Sequence, residues 1–373
     1  MFIVADRLSQ LVAKGEITPG YYNPGDFFDE VHLLTTTNDV VDSASLQITA
    51  GKARLVVHRL WKGSDLRNTV LTPLVEREWR RRAVRLAEQI VPDMVRTGDR
   101  LTGYLGAAVK RRLQIPHVVS LHSHRDDLCV HTRWGPRRLM LELEKRYARV
   151  AMSNADAVVV VYESLISYAR NNGARRIECI YNVICPTTRK AKASYELQRP
   201  ARIISVGRQI PRKLVTQLVL SMHSVDAHLV LVGNGLAHEQ LRSLVRANRL
   251  DARVEFIESM ANDALCESLS GFDLFAVHTE YPEFPKSIIE ALWAGLPVIV
   301  NDNQSLTVPE LQGDWVYRVK DTAKGYAEAI EQLIASDRAR EQLGRRGRAY
   351  AEQTFDPRMM EQRVTELYGE LVG

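Results

Sequence analysis

The chain has 373 residues, is 45% hydrophobic and 25% charged, and carries 50 Lys and Arg against 45 Asp and Glu. That composition excludes wholesale disorder, collagen, coiled coil and a membrane channel, and the length fits two domains of ordinary size. The net charge of +5 suits an anionic ligand or a negatively charged membrane surface and does not by itself imply nucleic acid.

Met1-Phe2-Ile3-Val4-Ala5-Asp6 lacks the basic start and long apolar stretch of a signal peptide and reads as a first buried strand. Short β-branched runs follow at Val31–Thr35, Arg54–His58, His117–His122, Ala157–Val161 and Ile177–Tyr181. A second series occupies Ile203–Gly207, Leu229–Gly233, Val254–Ile257, Leu274–His278 and Val298–Asn301. Between them lie segments of helical period such as Leu74–Glu88, Leu139–Ala151 and Ala264–Ser270. Strand then helix, repeated, predicts an α/β fold with parallel sheets covered on both faces. The polar stretch Cys185-Pro186-Thr187-Thr188-Arg189-Lys190 marks a join near 186–200, and Pro357–Val372 reads as a last helix. Two Rossmann-like domains facing each other would leave a cleft at the C-terminal ends of both sheets.

Four cysteines, at 129, 179, 185 and 266, show no zinc-ligand spacing. They read as reduced thiols of a cytosolic protein. No run approaches the roughly 18 apolar residues that span a bilayer. Arg77, Arg80, Arg81, Arg82 and Arg85 alternate with Trp79, Ala83, Val84 and Leu86 in an amphipathic helical pattern, and Lys110, Arg111 and Arg112 form a second basic run. Such a face either lies in solvent or makes a peripheral contact with anionic lipid. No nucleic-acid motif accompanies the charge.

Three stretches carry candidate chemistry. In Ser205-Val206-Gly207-Arg208-Gln209-Ile210-Pro211-Arg212-Lys213, a strand ends in a glycine that lets backbone approach a ligand. Arg208 and Lys213 can then clamp a diphosphate, one by a bidentate fork and the other as a point charge, unless both are simply solvated. Fixed cations there would stabilise the charge that grows on a departing diphosphate. Val232-Gly233-Asn234-Gly235 is a strand opening into a Gly-x-Gly turn. It serves either as a plain turn or as a set of backbone donors for an anion or sugar. In Glu283-Phe284-Pro285-Lys286-Ser287-Ile288-Ile289-Glu290, a loop feeds a helix that ends at Gly295. The N–H groups at its start would point at a ligand, and Glu290 would accept ribose hydroxyls or act only as a helix-dipole carboxylate.

These pieces, in this order, resemble glycosyltransferase family 4, the retaining transferases of GT-B fold. The resemblance rests on Val206-Gly207-Arg208 with Lys213, Val232-Gly233-Asn234-Gly235, Glu290-Ala291, Ala294-Gly295-Leu296-Pro297-Val298, Leu343-Gly344 and Phe355. It continues upstream in Ser153-Asn154-Ala155-Asp156 and Ile180-Tyr181-Asn182-Val183 and covers about residues 110–370. The resemblance implies an acceptor-binding domain at 1–190, a nucleotide-sugar-binding domain at 191–355 and a helix at 356–373 that crosses back to the first domain. It implies a metal-independent retaining transfer of a sugar from a nucleotide-diphosphate donor to a hydroxyl of a glycan, a lipid-linked or a small-molecule acceptor, with no cofactor. Arg208 and Lys213 would hold the diphosphate, Glu290 the ribose, and the backbone of Phe284, Pro285, Lys286 and Ser287 the phosphate and sugar. His122, at a strand end, would contact the transferred sugar, and His124 is a weaker candidate for the same role.

The family places two glutamates with seven residues between them, and that spacing counted back from Glu290 lands on Pro282. Glu283 is one position too close, so either it reaches the donor sugar from a shifted loop or the first acid's role is lost. The family's Gly-Gly loop after the first strand is also missing, the nearest glycine being Gly15 beside Lys14, with Arg7 upstream. Both departures keep alive a non-catalytic sugar-nucleotide-binding or regulatory subunit of the same fold, and a sugar-nucleotide epimerase is a more distant alternative. Arg125-Asp126-Asp127 reads as a solvated loop.

Overall fold

The computed structural model describes residues 1–5, 8–9, 18–36, 42–60, 72–98, 100–123, 135–182, 190–197, 199–302 and 307–373. Arg7, Lys14, Gly15, His124, Arg125–Asp127, Cys129, Cys185 and positions 186–189 and 198 of the proposed join at 186–200 lie outside them. The chain forms two compact units, one of Met1–Tyr181 with Arg358–Gly373 and the other of Asn182–Pro357.

The first unit holds β1 (Phe2–Ala5), β2 (Glu30–Thr35), α1 (Ser43–Gln47), β3 (Arg54–Arg59), α2 (Thr72–Ile90), β4 (Val95–Thr97), α3 (Leu101–Leu113), β5 (His117–Leu121), α4 (Pro136–Asn154), β6 (Ala157–Val160), α5 (Ser164–Asn171) and β7 (Ile177–Cys179). Its seven parallel strands run in the order β3-β2-β1-β4-β5-β6-β7. In α2, Trp79, Ala83 and Ala87 recur every four residues and are fully buried. Their stripe packs with Phe2, Val4, Leu34 and Val95 of the sheet, leaving the arginines between them to solvent. The last helix, α12 (Pro357–Val372), contributes buried Tyr368 beside Phe28 and an ion pair from Glu370 to Arg176 at 2.7 Å.

The second unit holds β8 (Ala201–Val206), α6 (Thr216–Ser221), β9 (Ala227–Val232), α7 (His238–Ala247), β10 (Val254–Ile257), α8 (Asn262–Leu269), β11 (Leu274–Val277), α9 (Lys286–Trp293), β12 (Val298–Asn301), β13 (Tyr317–Val319), α10 (Ala323–Ile334) and α11 (Asp337–Thr354). Six parallel strands run β10-β9-β8-β11-β12-β13. The chain winds outward from β8 one way, returns, and winds outward from β11 the other way. The switch point therefore lies between the C-terminal ends of β8 and β11, where open α/β sheets bind ligands.

All the strands expected from the sequence form, within a residue or two at their ends. Strands β4 and β13 and helix α3 are additional. Each strand is three residues long with arginine at its centre, Arg96 and Arg318, which breaks the apolar run that marks a buried strand.

Candidate active site

The second unit builds its site from the loops that leave β8 and β11. Gly207 follows β8, and its N–H donates to Val232 O at 3.0 Å. The chain then turns through Arg208–Lys213, and a staple to the β11 loop fixes where it goes. The Glu280 N–H donates to Arg212 O at 2.9 Å, the Arg212 guanidinium pairs with the Glu280 carboxylate at 3.3 Å, and it lies 4.5 Å from the centre of the Tyr281 ring. Lys213 is thereby delivered beside Glu283, and the two side chains form an ion pair, both largely shielded from solvent. Thr279 Oγ1 lies 3.4 Å from the same Glu283 oxygen. The Asn301 side chain, at the end of β12, accepts from Thr279 N–H at 2.8 Å and donates to Thr279 O at 2.9 Å, which pins the root of the loop.

Helix α9 closes the other side. Pro285 is its N-cap residue and offers no capping side chain; Ile288 N–H reaches back to Pro285 O at 3.0 Å, and the N–H groups of Lys286 and Ser287 have no side-chain cap. The Ser287 hydroxyl donates to Val206 O at 3.0 Å and ties this helix end to the end of β8. At the far end, Gly295 takes φ of 76° and the N–H groups of Gly295 and Leu296 reach back to Leu292 O and Ala291 O, a Schellman stop that only a left-handed residue completes. The pocket at the switch point is lined by Gly207, Arg208, Lys213, Glu283, Pro285 and Ser287, together with His278. Arg208 is exposed at its rim, and its side chain makes no hydrogen bond or ion pair among the described residues.

Other expected residues have different surroundings. The Gly233 N–H is committed to Ile257 O at 2.8 Å, and the Gly235 N–H to the Asn234 side chain at 2.6 Å. These amides are not offered to a ligand, and neither Gly233 nor Asn234 lines the pocket. Gly233 is needed for close approach instead: with φ of 134°, a Cβ there would stand 2.0 Å from Gly207 O. Asn234 is exposed, its amide 3.3 Å from Glu258. Glu290 is buried, with Oε1 accepting from Asn262 at 2.8 Å and facing Lys286 at 3.7 Å, so the Lys286 side chain is engaged as well. The Phe284 ring is buried against Phe355 at 5.4 Å, leaving only its backbone for a ligand.

In the first unit, His122 follows β5 and its ring reaches solvent. The protein packed around it still desolvates the imidazolium, the Arg96 guanidinium repels it further, and the pKa falls to about 4. His122 is therefore neutral at physiological pH. Arg96 itself is held by Ser120 Oγ at 3.1 Å and Tyr21 O at 3.2 Å.

Two residues were not singled out from sequence. His278 was read only as the end of a strand, and Asp321, in the loop after β13, gave no signal because its proximity to His278 depends on the sheet order. The two basic runs do meet across α2 and α3. Arg80, Arg81 and Arg85 share a groove with Arg111 and Arg112, with Glu88 as its single acid, bound to Arg112 at 2.5 Å. Arg77 and Arg82 do not line the groove, Arg82 being paired with Glu78, and Lys110 is turned away to Asp156 at 2.7 Å. Cys179 and Cys266 are free thiols. Among the described residues no helix is long and apolar enough to cross a membrane.

Comparison with known proteins agrees with this fold. Residues 29–187 match the family described as Glycosyltransferase Family 4, and residues 187–350 match Glycosyl transferases group 1. An uncharacterized glycosyltransferase of Methanocaldococcus jannaschii is 23% identical over 273 residues, 72% of this chain and 72% of that protein. The N-acetyl-alpha-D-glucosaminyl L-malate synthase of Bacillus anthracis is 27% identical over 56% of this chain and 58% of its own length. Among solved structures, the sucrose-phosphate synthase of Thermosynechococcus elongatus superposes with a TM-score of 0.77 at 18% identity, covering 100% of this chain and 99% of that one. HepE of Anabaena, solved in complex with UDP, gives a TM-score of 0.71 at 17% identity over 99% of this chain and 100% of its own. With two parallel Rossmann-like sheets, a cationic pocket at the switch point of the second and family matches that together run from residue 29 to residue 350, the chain belongs to glycosyltransferase family 4 and is a glycosyltransferase of GT-B fold.

Proposed function

We propose that this transferase moves a sugar from a nucleotide-diphosphate donor to an acceptor hydroxyl with retention at the anomeric carbon and without a metal ion. The observation that carries the reading is the convergence of Arg208, Lys213 and the uncapped start of α9 on one pocket at the β8–β11 switch point. Two cations and a helix N-terminus form a site for a diphosphate, and all three interact more strongly with the leaving group as its charge grows. HepE structures that hold UDP and UDP-glucose support a nucleotide-sugar donor for this fold.

In the ligand-free pocket Lys213 is already paired with Glu283, so donor binding would exchange the carboxylate for a phosphate oxygen. Glu283, set free, would turn to a hydroxyl of the donor sugar and take over the role that the family's spacing gives to the position of Pro282. Glu290, held by Asn262 and Lys286 on the helix that closes the pocket, would accept from the ribose hydroxyls. The neutral ring of His122 suits a hydrogen bond to a hydroxyl of the transferred sugar. No side chain in the pocket stands as an obvious covalent nucleophile, so departure and attack would occur on the same face of the sugar through an ion-pair-like state.

Arg208→Ala combined with Lys213→Ala should abolish transfer and leave the thermal melt largely unchanged, and surviving turnover would remove the assignment. EDTA should leave the rate unaltered. Donor identity comes from a thermal-shift screen against sugar nucleotides, in which a ligand at about 100 times its Kd adds about 2.7 kcal/mol of apparent stability. We also propose that the arginine groove of α2 and α3 makes a peripheral contact with anionic lipid, supported by its five arginines against one glutamate.

A further inference from the structure

His278 stands immediately after β11, on the floor of the switch-point pocket, and is 6% exposed. Burying an imidazole at a strand end costs free energy unless both ring nitrogens are provided for. Here the provision is lopsided. Nδ1 is buried and faces Asp321 Oδ1 at 3.3 Å, an ion-pair distance without the alignment of a hydrogen bond. Nε2 lies 3.7 Å from Glu280 Oε1, too far for a hydrogen bond, and that carboxylate is already shared with Arg212. The ring is thus anchored on one side and uncommitted on the other, within the same pocket as Arg208, Lys213 and Ser287.

The scaffold holds this arrangement in place. The buried Tyr326 hydroxyl, on α10, donates to Val277 O at 3.0 Å and fixes the residue before His278. Asp321 lies in the loop between β13 and α10 and Tyr326 in the first turns of α10 that follow, so one stretch of chain sets the backbone and faces the ring. With a carboxylate facing Nδ1 and a phosphate oxygen meeting Nε2, both edges of the ring would face anions, an arrangement that suits an N–H on each. The charged groups around the ring are Asp321 and Glu280 beside it, and Arg208, Lys213 and Glu283 lining the same pocket.

We propose that His278, oriented by Asp321, is a third ligand of the donor's diphosphate, giving an Nε2–H hydrogen bond to a phosphate oxygen alongside Arg208 and Lys213. This rests on the nucleotide-diphosphate reading above. Asp321 is a positioning residue that acts through the imidazole and touches no donor atom.

The test is calorimetric titration of the full chain with UDP, GDP and ADP, continued with whichever binds most tightly. His278→Ala should raise Kd about tenfold, the loss expected for one charge-assisted hydrogen bond. His278→Gln places an amide N–H near the Nε2 position and should recover most of that loss while folding normally. Asp321→Asn should weaken binding severalfold in the wild-type background and have no effect when combined with His278→Gln, because its influence passes through the ring. A merely structural Asp321 would cost the same in both backgrounds, and that result would overturn the proposal, as would binding by His278→Ala within twofold of wild type. If wild type binds none of the three nucleotides, the donor reading fails and this inference falls with it. If wild type binds and His278→Ala binds equally, only this inference falls.

Discussion

Lys213 and Glu283 neutralise each other inside the pocket that the donor's diphosphate would occupy. The sequence separates them by 70 positions, and the Arg212–Glu280 staple brings their loops together. A lysine held by a carboxylate is not free to hold a phosphate, so the protein's own anion competes with the donor.

Glu283→Gln should therefore tighten nucleoside diphosphate binding, by about fivefold for a pair worth about 1 kcal/mol. The same change should lower kcat if the freed carboxylate meets the donor sugar. Calorimetry with the nucleotide alone separates the two effects, since the nucleotide lacks the sugar. An unchanged Kd would mean that Lys213 is not the group exchanged.

The sequence made the framework legible because parallel strands buried on both faces leave near-continuous Val, Ile and Leu runs, as at Leu229–Val232 and Val298–Val300. Gly207, Arg208, Lys213 and Ser287 were readable as well, each lying at a strand end or a helix start where function concentrates. Interactions that close across the sheet were not. Gly233 has the pattern of an anion-binding turn, yet its amide belongs to Ile257 on the neighbouring strand. Lys110 belongs to a basic run by composition and to Asp156 by geometry. The pairing of His278 with Asp321 depends on β11, β12 and β13 lying side by side, which no local spacing encodes.

His122 owes its depressed pKa first to desolvation and second to Arg96. Replacing Arg96 by Met should raise the His122 midpoint from about 4 towards the ordinary range, because removing a positive charge eases protonation. A pH titration of the histidine Cε1 resonances by NMR would follow it, with His122→Gln identifying the signal. A midpoint that does not move would assign the whole shift to desolvation.

His117 sets a pH limit on stability. It is fully buried, its Nε2 lies 2.8 Å from Thr97 Oγ1, and burial, reinforced by Lys110 and opposed by Asp156, lowers its pKa to about 3. Between that value and the unfolded value near 6.5, the unfolded chain binds the extra proton. The stability contributed by the neutral ring is complete above pH 6.5 and is lost as pH falls, at about 1.4 kcal/mol per pH unit. Urea unfolding at pH 7.5, 6.5, 5.5 and 4.5 should show no contribution from this ring between the first two points and this slope between the last two, with His117→Gln, which can keep the bond to Thr97, shallower there by that amount. Parallel slopes would mean that His117 is protonated without cost.

The arginine groove makes a prediction independent of catalysis. Arg81, Arg85, Arg111 and Arg112 are exposed, and the Arg80 guanidinium is steadied by the Tyr104 hydroxyl at 3.1 Å. Each cation at an anionic bilayer contributes about 1 kcal/mol, an attraction that salt screens within a Debye length. The protein should sediment with vesicles containing phosphatidylglycerol, should not sediment with pure phosphatidylcholine, and should be released by 0.5 M salt, about five times the ionic strength at which the Debye length is about 10 Å. Reversing Arg81, Arg85 and Arg111 to Glu removes three attractions, which alone lowers partitioning by about a hundredfold or more. These side chains are exposed and belong to α2 and α3 of the first unit, whereas the pocket residues belong to the second, so the variant should melt like wild type and retain its affinity for nucleoside diphosphate. Binding to phosphatidylglycerol that survives the triple reversal would remove the groove as a membrane contact, and wild type that ignores phosphatidylglycerol would remove the contact altogether.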